Sequence, residues 1–251
     1  MKDIKVNQDK LKILKVKDKT DALTVNHTLF NIPIRCLLVS RSGNGKNTVL
    51  SNILMNSNFG YSNIFKGDDI YIFSPHPDED AKMQLLIKFY DIPENNIYSG
   101  DTPDLDAIEH VYLELKKEAV EDKKKKPLII IDDYSSSGAF SSKYNILTKI
   151  FSNSRKFRIS IFFLSQYYLS VSPSIRCNAN VLIIGNTSNK NLKVLSDENN
   201  FLKDNKTFYE MFRAYTKEQF EFFTINYTNN YDNLYLDSNF KPIIHSQISN
   251  D

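Results

Sequence analysis

Nine consecutive residues, Ser40-Arg41-Ser42-Gly43-Asn44-Gly45-Lys46-Asn47-Thr48, have the types and spacing to hold a chain of phosphates. They follow the apolar run Cys36-Leu37-Leu38-Val39 and open a helical pattern of Val49, Leu50, Ile53 and Leu54. Strand, glycine-bearing turn, lysine and helix together make a phosphate-binding P-loop. Backbone N–H groups in such a loop point inward at phosphate oxygens, and the helix N-terminus adds a partial positive charge. A lysine there places a mobile point charge on the β- and γ-phosphates. The expected contacts are Ser42, Gly43, Asn44, Gly45, Lys46, Asn47 and Thr48.

The loop departs from the usual G-x-x-x-x-G-K-[ST] pattern at two places. Ser40 stands at the first glycine, and Asn47 stands where a hydroxyl normally meets Mg²⁺. Thr48 carries a hydroxyl one residue late, about 100° further round the helix. The carboxamide oxygen of Asn47 is a hard ligand acceptable to Mg²⁺, directly or through water. Asn47 and Thr48 therefore both stand as candidates for the metal. The plain alternative is a polar turn with no ligand; the next motif weighs against it.

That motif is Lys126-Pro127-Leu128-Ile129-Ile130-Ile131-Asp132-Asp133. Four aliphatic residues, three of them β-branched, read as a strand buried on both faces of a parallel sheet. Two carboxylates follow at its C-terminal end, where open α/β sheets place their ligands. In a P-loop enzyme the first acid binds Mg²⁺ and the second orients and polarises the attacking water. These roles fall to Asp132 and Asp133. Alone, an Asp-Asp strand exit would be unremarkable; the P-loop upstream gives it meaning.

Around these motifs the chain alternates strand and helix. Residues 34–39, 69–74, 128–131, 159–166 and 181–184 read as strands, and residues 79–90, 103–121 and about 140–151 as helices. The expected fold is α/β: a P-loop fold with a mostly parallel central sheet flanked by helices. Residues 1–32 form a charged arm, and residues 33–251 the ATPase domain. From about residue 205 a C-terminal extension holds an edge strand or hairpin around 220–227. Lys123-Lys124-Lys125-Lys126 is read as a solvated helix end, with Glu118, Glu121 and Asp122 beside it, rather than as a DNA-binding patch.

The totals narrow the function classes. A chain of 251 residues with 41% hydrophobic content can build one large α/β core. The net charge of +2 is too small for a strongly basic nucleic-acid binder, so DNA contact must come from local clusters or several subunits together. The N-terminus lacks the apolar core of a secretory signal. No apolar run approaches the roughly 20 residues that span a bilayer. A soluble, intracellular protein with no membrane partner is expected. Cys36 and Cys177 are expected to be buried or partly buried free thiols, and the four histidines form no zinc-ligand spacing.

Two further positions could act on the phosphates. Gln166 ends the strand that starts near residue 159, and a polar amide at such a tip can touch both the lytic water and the γ-phosphate. Ser154-Arg155-Lys156-Phe157-Arg158 precedes that strand. Arg155 is a candidate arginine finger acting on a neighbouring subunit's ATP, with Arg158 and Arg176 as alternatives.

With these residues in view the chain resembles the genome-packaging ATPases of large DNA viruses and their smaller relatives, such as poxviruses, virophages and Polinton-type elements, within the FtsK–HerA superfamily. The resemblance rests on Ser40–Thr48, Ile129–Asp133, Ser154–Ile161 leading to Leu164-Ser165-Gln166, and Pro173-Ser174-Ile175-Arg176-Cys177-Asn178. It implies a RecA-like P-loop NTPase core, ATP hydrolysis with Mg²⁺, a homo-oligomeric ring (a hexamer), and translocation of double-stranded DNA into a preformed capsid built of viral capsid proteins. It also implies a place at viral assembly sites in the host cytoplasm or in the virion. Arg155 as finger and Gln166 as sensor follow from it. The competing readings are a nucleotide-binding assembly factor with weakened catalysis and a DNA-transfer or helicase-type ATPase of the same superfamily.

Overall fold

The computed structural model describes residues 29–134, 140 and 146–244. Its centre is one eight-stranded sheet: β1 (Arg35–Val39), β2 (Ile70–Ser74), β3 (Ile97–Ser99), β4 (Leu128–Ile131), β5 (Ser160–Ser165), β6 (Val181–Gly185), β7 (Phe222–Asn226) and β8 (Tyr235–Leu236), in the order β3-β2-β4-β5-β1-β6-β7-β8. The strands from β3 to β6 all pair in parallel, while β7 pairs antiparallel with both β6 and β8.

The apolar runs work because both faces of the sheet are covered. Successive side chains of a strand point to opposite faces. Leu128 and Ile130 of β4 therefore join Cys36, Leu38, Ile72 and Leu164 in one core. That core packs under α1 (Lys46–Met55) and α2 (Ala81–Tyr90). Ile129 and Ile131 join Leu37, Val39 and Phe163 in the opposite core, beneath α3 (Leu105–Glu121) and α4 (Ile146–Asn153). The same core takes in α5 (Pro173–Asn178), α6 (Asn189–Asn199) and α7 (Asn205–Ala214).

The expected α/β class and mostly parallel sheet are found. Sequence periodicity missed β3, α6, α7 and β8. Cys36 is buried as expected, but Cys177 is exposed because its short helix α5 turns it outward. Both thiols are free. In the lysine run, Lys125 pairs with Asp69 at 3.2 Å and Glu118 at 3.1 Å, in keeping with a helix end anchored by its acidic neighbours. The charged arm falls almost wholly outside the described residues, as do residues 135–139 and 141–145, which hold the serine-rich stretch and the start of the helix expected from about 140. Among the described residues no helix is long and apolar enough to cross a membrane.

Candidate functional site

The C-terminal ends of β1, β2 and β4 meet in a cavity of about 700 Å³. Its wall includes Ser42, Gly43, Gly45, Lys46, Asn47 and Thr48 from the loop, with Asp132 and Asp133 opposite. Asn44 lies in the turn, its amide bonded to the Arg41 carbonyl, and does not line the cavity. Gly43 and Gly45 have φ of +74° and +82°, a backbone state that glycine takes without the steric cost a Cβ imposes.

Helix α1 starts without a side-chain cap. Helices α2, α3, α6 and α7, by contrast, open with caps from Asp80, Asp104, Ser188 and Asp204. The first amides of α1 are thus left for an anion in the cavity. Ser40 is tolerated at the usual glycine position because a glycine stands across from it. A Cβ on Gly185, at the end of β6, would come within 2.9 Å of the Ser40 Cβ and closer still to its Oγ.

The two acids at the end of β4 are fixed by the strands on either side. The Asp132 amide donates to the Phe73 carbonyl of β2 at 2.8 Å, and the Asp133 amide donates to the Leu164 carbonyl of β5 at 3.3 Å. Asp133 takes φ of +48°, which a short polar side chain tolerates, and the chain turns there. Lys46 Nζ donates to the Ser40 carbonyl at 3.0 Å and stands 4.0 Å from Asp133 Oδ2. Gln166 Nε2 donates to the same Asp133 oxygen at 2.7 Å. Gln166 reaches this point because β5 lies directly beside β1.

Asn47 faces the other acid. Its Nδ2 donates to Asp132 Oδ2 at 3.0 Å and to Asp80 Oδ2 at 2.6 Å. Asn47 Oδ1 and Asp132 Oδ1 are buried and have no hydrogen-bond partner among the described residues. Two buried oxygens without donors suit a hard cation, so the residues present fit Mg²⁺. Thr48 is exposed and borders both this cavity and the next, whereas Asn47 bonds Asp132 directly, so the geometry favours Asn47 over Thr48 as the metal-side residue. Among the described residues, no group of three His, Cys, Asp or Glu side chains could hold a metal alone. Mg²⁺ in phosphoryl-transfer sites is usually held by one or two carboxylates plus the substrate's phosphates, which matches this arrangement.

Burial pushes the Asp132 carboxyl up to about 6, with the Asn47 hydrogen bond and Lys46 opposing and Asp133 and Asp80 reinforcing. Burial also acts to raise Asp80. The hydrogen bonds from Asn47, Met83 and Lys82 outweigh it, and Asp80 ends below the usual carboxylate range. Asp80 is the site residue that sequence reasoning missed. Its one sequence signal was the stop after β2, Ser74-Pro75-His76-Pro77, which marks the strand's C-terminal end.

The arginines sit elsewhere. Arg155 is exposed in a short 3₁₀ turn, Ser154–Phe157, that leads into β5 at the N-terminal edge of the sheet. The five residues of β1, at about 3.3 Å each, put the P-loop roughly 15 Å away at the opposite edge. Its side chain has no hydrogen-bond or ion-pair partner among the described residues. Arg158 donates to the Ala119 and Asp122 carbonyls at the end of α3. Arg176 is buried, donates through Nε to Glu198 at 2.9 Å and lies over the Tyr168 ring.

A parallel sheet with a glycine loop at β1, paired acids at β4 and an amide at the tip of the strand between them defines a P-loop NTPase fold. The chain belongs to the family of the poxvirus A32 protein, whose model matches residues 24–228. A comparison with curated proteins found no match. Among solved structures, the chain is similar to the genome packaging NTPase B204 from Sulfolobus turreted icosahedral virus 2. The complex with AMP gives 13% identity and a TM-score of 0.57, covering 84% of this chain and 98% of that one. The complex with AMPPCP gives 17% identity, a TM-score of 0.54 and the same coverage.

Proposed function

We propose that this chain hydrolyses ATP and uses the energy to move double-stranded DNA into a preformed viral capsid, working as a homo-oligomeric ring, a hexamer. One observation carries the reading: Lys46, Asp132 and Asp133 line one cavity beside an uncapped helix start, with Gln166 bonded to Asp133. Family membership and the likeness to a packaging NTPase support the coupling to DNA.

Each residue then has a task. The loop amides and Lys46 bind the triphosphate. Asp133 orients a water for attack on the γ-phosphorus and accepts its proton. The bond between the γ-phosphorus and the β–γ bridging oxygen breaks, and its electrons leave with ADP. Gln166 holds the Asp133 carboxylate from 2.7 Å and so links the tip of β5 to the water's position. Asn47 and Asp132 would hold Mg²⁺, which when bound offsets charge on the β- and γ-oxygens. Arg155 lies roughly 15 Å from its own subunit's loop, and the reading assigns it to the ATP of a neighbour. Viral capsid proteins are the expected partners, and the viral assembly site in the host cytoplasm, or the virion, the place of action.

Purified protein should hydrolyse ATP, faster with double-stranded DNA. Single-turnover hydrolysis no faster than buffer, with nucleotide demonstrably bound, would instead support the assembly-factor reading.

A further inference from the structure

Beside the phosphate cavity lies a second one of about 340 Å³, and the two share Gly45, Thr48 and Phe220. Phe220 is unusual in two respects. It is a large apolar side chain left 58% exposed, and its φ is +69°. A bulky residue in the left-handed region is a genuine outlier and survives only where the surroundings enforce it. The enforcing contacts are present. Ser238 Oγ accepts from the Phe222 amide at 2.8 Å and donates to the Phe222 carbonyl at 3.2 Å, clamping the start of β7. The ring lies against Gly45, where an added Cβ would meet it at 3.1 Å.

The rest of the second cavity completes the pattern. Phe59 and Phe240, packed edge to face at 5.5 Å, form an apolar wall. Asn56 and Asn239 line the same space, and a carboxamide offers the donor and acceptor that a base edge requires. The volume falls within the roughly 300–1,000 Å³ of small-molecule sites. A triphosphate in the P-loop would carry its nucleoside out past Gly45.

We infer that this cavity is the nucleobase subsite and that Phe220 is the surface on which the base stacks. The inference rests on the P-loop reading and adds the base-recognition residue to it.

The test compares ATP with inorganic tripolyphosphate, which has the phosphates and no base. Phe220→Ala should weaken ATP binding by roughly fivefold to a hundredfold, the range alanine substitution gives for one stacked base. Tripolyphosphate affinity should stay at the wild-type value. The chain has no tryptophan, so Phe220→Trp supplies a single tryptophan whose emission can be excited apart from the tyrosines. It should keep ATP binding, and its emission should change with ATP but not with tripolyphosphate. Wild-type ATP affinity in Phe220→Ala would overturn the inference. So would an equal loss of both ligands, which would make Phe220 a prop for Gly45. Lys46→Ala separates the two levels: it should lose both ligands, and if it binds both normally the P-loop reading itself has failed.

Discussion

Asp80 holds the carboxamide of Asn47: Asn47 Nδ2 lies 2.6 Å from Asp80 Oδ2, and this leaves Asn47 Oδ1 buried without a donor among the described residues. A hydroxyl at this position would need no such orientation. Asn47 does, because flipping its amide would present N–H groups to the cation. Asp80 supplies the grip with one oxygen while the other caps α2 through Lys82 and Met83.

The pair should therefore be coupled. Asp80→Ser keeps an N-cap but is too short to reach Asn47. In the wild-type background it should weaken Mg²⁺-dependent nucleotide binding about tenfold, a coupling within the range of contacting residues. In an Asn47→Thr background the same change should cost little. Titration of Mg²⁺ against a fluorescent nucleotide, with unfolding midpoints as control, completes the cycle. Additive effects would show that Asp80 acts only as a cap.

Ser40 and Gly185 form a second adapted pair. Gly185→Ala should destabilise the protein by about 1–3 kcal/mol through overpacking against Ser40. Ser40→Gly added to it should recover most of that loss. Urea unfolding of the four proteins decides it; no recovery would mean the alanine clashes elsewhere.

Asp133 and Gln166 should separate binding from chemistry. Asp133→Asn should retain ATP near wild-type affinity and fail in single turnover, because an amide cannot accept the water's proton. Gln166→Ala should lower kcat more than it raises KM. Loss of ATP binding in Asp133→Asn equal to that in Lys46→Ala would mean the split between Asp132 and Asp133 is wrong.

The arginines should differ in kind. Arg176→Ala leaves Glu198 beside a buried gap and should cost about 3 kcal/mol of stability. Arg155→Ala, on an exposed turn, should leave the urea midpoint unchanged while cutting hydrolysis at least about tenfold. Equal destabilisation in both variants would remove Arg155 from the site and make it structural.

The motifs were legible because their meaning is local. A glycine loop before a helix, and two acids after four aliphatic residues, declare themselves within nine residues each. Gln166 was legible through the strand it ends. Asp80 was not, because its place depends on β2 pairing with β4 across a long stretch of sequence. Gly185 matters only through its approach to Ser40, which no spacing encodes. Helix α6 escaped notice because Asn189-Lys190-Asn191 and Ser196-Asp197-Glu198-Asn199-Asn200 leave few apolar positions, and Leu192 and Leu195, with the half-buried Val194, anchor it to the core. β3 is three residues long and half-buried, too short for any periodicity.

The central claim is an ATPase whose sites are completed between subunits and whose work is done on DNA. DNA-stimulated hydrolysis by mixed subunits tests it most directly. Arg155→Ala and Asp133→Asn should each be nearly inactive alone. Mixed, they should regain activity, because some interfaces then pair an intact Arg155 with an intact Asp133. Absence of recovery in rings shown by cross-linking to contain both variants would contradict the account.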